Sequence, residues 1–224
     1  MAKPRPLPSV LLLAGGPGGS RSAYSRLLAK VFASTGKQRP LVGYVGTANG
    51  DDPRFIGFMK GLLESAGECD FALAPLAGRK GSVAKARGVL ESADAIFMGG
   101  GDVEEGMETL REKDAVGLLE AQRARGVPFF GASAGAIMLA RQWVRWRDPE
   151  DDSSAEVFDC LGFAGVYCDT HGEEDRWVEL HALLGLVDRG AEGHGIRTNA
   201  AIEVDAAGEV RVVAGKVDRL VAAR

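Results

Sequence analysis

Val127-Pro128-Phe129-Phe130-Gly131-Ala132-Ser133-Ala134-Gly135-Ala136 is the stretch that decides how this chain is read. A short apolar run leads into Gly-x-Ser-x-Gly, and Ile137-Met138-Leu139-Ala140 then opens a helix. A buried strand, a tight turn and a helix make a nucleophile elbow, which holds a serine on a strained backbone at the end of a sheet. The flanking glycines are there for steric reasons, because so sharp a turn leaves no room for side chains beside it. The turn sets the hydroxyl near the positive end of the following helix and aims the N–H of Ala134 where an oxyanion would form. The pattern by itself is weak evidence. Glycine is 31 of 224 residues, so eleven serines carry roughly one chance in five of an accidental match. The strand before it and the helix after it give it weight.

Outward from the elbow the chain alternates apolar runs with helical periodicity. Residues 9–14 read as a buried parallel strand ending in Gly15-Gly16-Pro17-Gly18-Gly19. Residues 22–35 carry Tyr24, Leu27, Leu28, Val31 and Phe32 at helical spacing. Residues 41–46 read as the next strand, and Pro53 opens a second helix. A weak strand at 70–75, a helix at 83–91, and a strand from Ala93 to Met98 follow, the last ending in Gly99-Gly100-Gly101-Asp102. Helical segments at 104–111 and 113–125 precede the elbow. Strands alternating with helices predict a parallel sheet covered on both faces, with ligands at the carboxyl ends of the strands. Gly15–Gly19, Thr47–Gly50, Gly99–Asp102 and Ser133 all fall at that edge. The first glycine loop lacks the Lys-Ser/Thr of a phosphate loop, and Arg21 stands where a dinucleotide fingerprint needs glycine.

Beyond the elbow, residues 146–156 read as a polar acidic loop, 163–169 as a strand delivering Asp169-Thr170-His171, and 174–187 as a helix. Segments 200–204, 209–213 and 217–221 read as antiparallel additions to the sheet edge. The whole, 1–224, is predicted to be one domain. A net charge of −4 gives no basic footprint for nucleic acid, and no apolar run is long enough to span a bilayer. The run Val10–Ala14 is too short for a secretory segment. Cys69, Cys160 and Cys168 lack metal-type spacing and read as reduced thiols, so a cytoplasmic location is expected.

A serine nucleophile needs a base, and the base needs an orienting group. Of three histidines, His181 falls within a helix. His194 sits in a Gly-His-Gly segment between a helix and a strand. His171, following a strand, is expected at the edge that carries Ser133. It is favoured as base over His194. Asp148, Glu150, Asp151 and Asp152 are all candidate acids. No metal motif is present, and no cofactor is expected.

Gly99-Gly100-Gly101-Asp102, Gly131-Ala132-Ser133-Ala134-Gly135-Ala136, Asp169-Thr170-His171 and Gly195-Ile196, in this order, resemble the S51 serine peptidases. That family includes dipeptidase E and cyanophycinase. The resemblance covers nearly the whole chain. It implies a three-layer α/β/α sandwich with a mostly parallel, flavodoxin-like (class I glutamine amidotransferase-like) sheet and antiparallel C-terminal strands. It implies Ser133 as nucleophile, His171 as base, an oxyanion hole from the N–H groups of Ala134 and Gly100, and Asp148 as the acid, with Glu150 as the alternative. Arg176 matches the arginine that grips an aspartate side chain in dipeptidase E, and Asp102 and Asp169 are further candidates for binding substrate. The expected partner is a small peptide, with the protein a monomer or homodimer. The chain departs from the family where Phe commonly follows the histidine (here Gly172), where cyanophycinases carry Gln (here Val103), and where relatives carry an acid after Gly-Ile (here Arg197-Thr198-Asn199). Cyanophycin is thereby disfavoured. Two further readings are open: an α/β-hydrolase esterase, which shares the elbow but for which too little chain follows Ser133, and a non-catalytic amidotransferase-like binding domain, which would usually lack the nucleophile.

Overall fold

In the computed structural model, which describes residues 6–15, 21–78 and 81–222, the apolar runs become the middle of a seven-stranded sheet. Five strands run parallel: β1 (Val10–Leu13), β2 (Leu41–Val45), β3 (Asp70–Leu73), β4 (Ala95–Met98) and β5 (Phe129–Ala132). Their order across the sheet is β1-β5-β4-β2-β3. Successive side chains of a strand point to opposite faces, and here both faces are covered. Leu11, Leu13, Tyr44, Phe97 and Phe130 pack with Leu28, Phe32 and Leu63 from α1 (Arg21–Ser34) and α2 (Pro53–Glu64). Leu12, Val45, Ile96, Met98 and Phe129 pack with Leu90, Leu110 and Leu119 from α3 (Val83–Ser92), α4 (Val103–Glu112) and α5 (Val116–Ala124). Burial of this kind is worth about 1.5–3 kcal/mol per large side chain. Phe97 also stacks on Phe130, with centroids 4.6 Å apart. The result is the predicted mixed α/β architecture of three layers. Gly16–Gly19, most of the first glycine loop, lie outside the described residues.

The helices start where the sequence signals them. Asp52 caps α2 by accepting from the N–H groups of Arg54 (2.8 Å) and Phe55 (3.1 Å), with Pro53 at the first helical position. The elbow helix α6 (Ala134–Leu139) has only six residues. It leads into β6 (Gln142–Trp146), which pairs antiparallel with β7 (Ala155–Asp159). The polar stretch predicted as one loop is therefore largely the tip of a hairpin, and Arg145 ties its two strands through Glu156 at 2.7 Å.

After β8 (Tyr167–Thr170), α7 (Val178–Leu186) and β9 (Glu192–Ile196), the chain returns to the main sheet. There β10 (Ala201–Val204) pairs antiparallel with β1, and β11 (Val210–Ala214) pairs with β10. These are the predicted edge additions. The third, β12 (Val217–Val221), is not: it pairs antiparallel with β9, which runs parallel to β8, in a separate three-stranded sheet. Its Leu220 joins Val144, Tyr167, Trp177 and Leu180 in a third apolar cluster. Alternation along a strand sets which face is apolar and leaves the choice of partner edge to packing. Among the described residues no helix is long and apolar enough to cross a membrane.

Candidate active site

β5 ends at Ala132 and α6 begins at Ala134, so Ser133 alone makes the turn. Its φ of 54° and ψ of −126° lie where non-glycine residues store about 1–3 kcal/mol of strain. The surroundings hold it there. The Ser133 N–H donates to the Leu13 carbonyl at 2.8 Å, and its carbonyl accepts from the N–H of Ala136 at 2.8 Å. A Cβ on Gly131 would stand 2.3 Å from the Gly135 carbonyl oxygen, and one on Gly135 would stand 2.2 Å from that of Met98. The N–H of Ala134 opens a helix, where the first N–H groups have no acceptor within it.

The β4 turn lies against this serine. A Cβ on Gly100 would meet the Ser133 Cβ at 3.1 Å and its Oγ at 3.7 Å. The turn is braced from the 3-10 segment Thr47–Asn49: Asn49 Nδ2 donates to the Gly100 carbonyl at 2.7 Å and to the Tyr44 hydroxyl at 3.1 Å. Sequence reasoning placed Thr47–Gly50 at this edge but did not single out Asn49. No local pattern shows which carbonyl an amide side chain will reach.

His171 follows β8 at φ 66°, with its N–H donating to the Ile196 carbonyl at 3.3 Å; β8 lies in the separate three-stranded sheet and not, as expected, in the sheet that ends at Ser133. Its Nδ1 lies 3.1 Å from Thr198 Oγ1, and the Thr198 N–H donates to Glu173 Oε1 at 2.9 Å. The Thr198 segment is tied to the end of β1: Asn199 N–H donates to Gly15 O at 2.7 Å, and Ala14 N–H to Ala200 O at 3.0 Å. The same end of β1 takes the Ser133 N–H. The serine and the histidine thus hang from one strand terminus, although no hydrogen bond joins Ser133 Oγ to His171 among the described residues. Bonds between nucleophile and base often tighten only with substrate in place. His194 lies within β9, and His181 is exposed on α7.

This geometry has relatives. The sequence model of Peptidase family S51 matches residues 10–212. The chain belongs to peptidase family S51. The S51 member is similar in structure to a peptidase from an acI-B1 Actinobacterium, at 20% identity over 98% of this chain and 96% of that one, with a TM-score of 0.66. It is similar also to a peptidase E-type protein from Listeria monocytogenes EGD-e, at 17% identity over 96% and 99% of the two chains, with a TM-score of 0.61. At these identities the likeness shows a shared fold. No curated protein matches the chain in sequence.

The remaining S51-type positions are placed as follows. Asp148 and Glu150 lie exposed in the β6–β7 loop, where Asp148 Oδ1 accepts from the Glu150 N–H at 3.0 Å. Neither bonds to His171 among the described residues. Asp102 caps α4, accepting from the Glu105 N–H at 2.8 Å. Arg176 is exposed, with no ion pair to Glu173 or Asp175 among the described residues. Gly172, at the family's Phe position, lies under Trp177: a Cβ there would stand 2.7 Å from the indole. Trp177 in turn donates from Nε1 to Asp218 at 3.0 Å, and Arg197, where relatives carry an acid, pairs with the same carboxylate at 2.7 Å. The charge of Arg197 is therefore already matched. Among the described residues no cluster of three or more His, Cys, Asp or Glu could hold a metal ion.

Asp169 is only 4% exposed, and Oδ1 accepts from the Thr170 N–H at 2.6 Å. Burial, reinforced by the charges of Glu179 and Asp175, pushes its carboxyl from 3.8 up to about 7. Below the lower value both folded and unfolded chains carry the proton, so no difference arises. As pH rises towards the upper value, only the unfolded chain ionises, and stability falls. Above it the loss persists. Asp169→Asn should remove this slope and leave the variant more stable at pH 8 by on the order of 2–4 kcal/mol. Denaturant unfolding at pH 4, 6 and 8 checks this, and parallel curves for the two proteins would refute it.

Proposed function

We propose that this S51 member is a serine peptidase that hydrolyses short peptides, as a dipeptidase with a preference for N-terminal Asp. The observation that carries the reading is Ser133 held at φ 54°, on the strand end that also anchors the His171–Thr198 pair. Strained residues of this kind cluster at active sites, where the strain is part of the mechanism. His171 takes the proton from Ser133 Oγ as the oxygen attacks the scissile carbonyl, then gives it to the leaving amine. Water repeats the sequence on the acyl-enzyme. The N–H groups of Ala134 and Gly100 bind the tetrahedral oxyanion, each contributing about 3 kcal/mol. The exposed Arg176 guanidinium supports the Asp preference, because its planar fork matches a carboxylate. No cofactor enters this chemistry.

The test pairs a fluorophosphonate label with Asp-Leu, Ala-Leu, Lys-Leu and β-Asp-Arg, each with an N-acetylated copy. Labelling at Ser133 and selective cleavage of Asp-Leu are expected, with Arg176→Ala raising KM for Asp-Leu about tenfold or more. Cleavage of Ala-Leu or Lys-Leu in preference keeps the serine mechanism and removes the Arg176 clamp. Neither labelling nor cleavage would leave the binding-domain alternative.

A further inference from the structure

We propose that Glu173, acting through the Thr198 hydroxyl, is the carboxylate that orients His171, the role the family resemblance gives to Asp148 or Glu150. The proposal rests on the serine-peptidase reading above.

Thr198 Oγ1 is the hydrogen-bond partner of His171 Nδ1, at 3.1 Å. A hydroxyl can accept from Nδ1–H only through a lone pair, and its own hydrogen then needs an acceptor. Glu173 provides one. Its Oε1 already takes the Thr198 N–H at 2.9 Å, so side chain and backbone of one residue face one carboxylate. Burial pushes the Glu173 carboxyl up, but the neighbouring Thr198, with the charge of His171, outweighs it and holds the group below its ordinary value. Among the described residues Glu173 Oε2 is buried with no hydrogen-bond partner of its own. A carboxylate oxygen left so costs stability, and it leaves a charge free to favour the imidazolium that forms at His171 during turnover.

Four other candidate carboxylates are engaged elsewhere. Asp169 bonds the Thr170 N–H, Asp175 bonds the Trp177 N–H at 3.0 Å, and Asp102 caps α4. Asp148 holds its own loop. The turn is built for Glu173 to return. His171 lies at φ 66°, and Gly172 leaves its side-chain space to Trp177. Two residues on, Glu173 reaches Thr198. In this arrangement no proton passes to Glu173. Nδ1 keeps its hydrogen, the bridging hydroxyl accepts from it and donates to the carboxylate, and Nε2 is left as the acceptor for the Ser133 proton. Both residues are positioning residues, because neither touches the reacting atoms.

The experiment compares wild type with Glu173→Gln, Thr198→Val, Thr198→Ser, the double variant and Asp148→Asn. It reads kcat and KM on the best peptide, the rate of phosphonate labelling, and the His171 tautomer by ¹⁵N NMR. Glu173→Gln and Thr198→Val should each lower kcat and labelling by about 100-fold with KM little changed. Thr198→Ser should stay within about threefold of wild type. The double variant should be no worse than the weaker single one, since the two groups act in series. The Nδ1–H tautomer should dominate in wild type and lose population in Thr198→Val. Wild-type rates and an unchanged tautomer in Glu173→Gln, with the loss appearing in Asp148→Asn instead, would overturn the proposal. If wild type neither labels nor cleaves, the serine-peptidase reading fails separately, and the tautomer comparison still decides the role of Glu173.

Discussion

Ser133→Ala is expected to lower peptide hydrolysis by at least about 10⁴-fold and to abolish phosphonate labelling, with the fold retained. Both halves follow from the same backbone. The Ser133 N–H and C=O are bonded to Leu13 and to Ala136, and alanine keeps both bonds. The hydroxyl makes no protein hydrogen bond among the described residues, so its removal leaves no buried partner unsatisfied. Alanine carries the same Cβ, so the strain at φ 54° remains and stability should change by less than about 0.5 kcal/mol. Ser133→Gly separates strain from chemistry. Glycine adopts positive φ freely, so this variant should be inactive yet more stable, by about 1 kcal/mol after the added freedom of its unfolded chain is subtracted. Thermal unfolding beside the labelling assay reads both effects. Residual turnover near wild type in Ser133→Ala would remove the mechanism.

Gly135→Ala is expected to cost more than about 4 kcal/mol, or to prevent folding. Its Cβ would lie 2.2 Å from the Met98 carbonyl oxygen and 2.6 Å from that of Gly99. These are backbone atoms of β4 and its turn, and neither can swing aside as a side chain would. Relief requires α6 to move off the sheet, which also separates Ser133 from Gly100, so any folded fraction should label slowly. Gly57→Ala in α2 is the control. A Cβ there meets nothing within 4 Å, and alanine in an exposed helix interior should stabilise by about 0.5–1 kcal/mol. A small effect at Gly135 would mean that the elbow is not packed as described.

The parallel strands, the start of α2 and the elbow were legible because each is a local matter. The continuous apolar runs of β1 and β5, buried along their whole length, Pro53 at the head of α2, and glycines around Ser133 are dictated by burial and sterics within a few residues. That His171 should follow a strand could be read in the same way, but not that this strand, β8, would sit in the separate three-stranded sheet rather than in the sheet that ends at Ser133. The partners of His171 could not. Asp148 stands fifteen residues beyond Ser133 and matches a family spacing, yet spacing says nothing of where a hairpin tip will point. Thr198 lies 27 residues from His171 and comes to it because β9 pairs parallel with β8.

Arg197 reads in sequence as a new charge in the pocket, and the structure pairs it with Asp218 on β12, a strand expected at the edge of a different sheet. Gly172 reads as a lost aromatic, and the structure sets Trp177 against it. By itself, then, the sequence determined the layers and the strained serine at the end of β5, because backbone sterics and burial act over short stretches. The tertiary structure alone decided which hydroxyl, carboxylate and indole surround the site, because such contacts depend on how separate strands choose their neighbours.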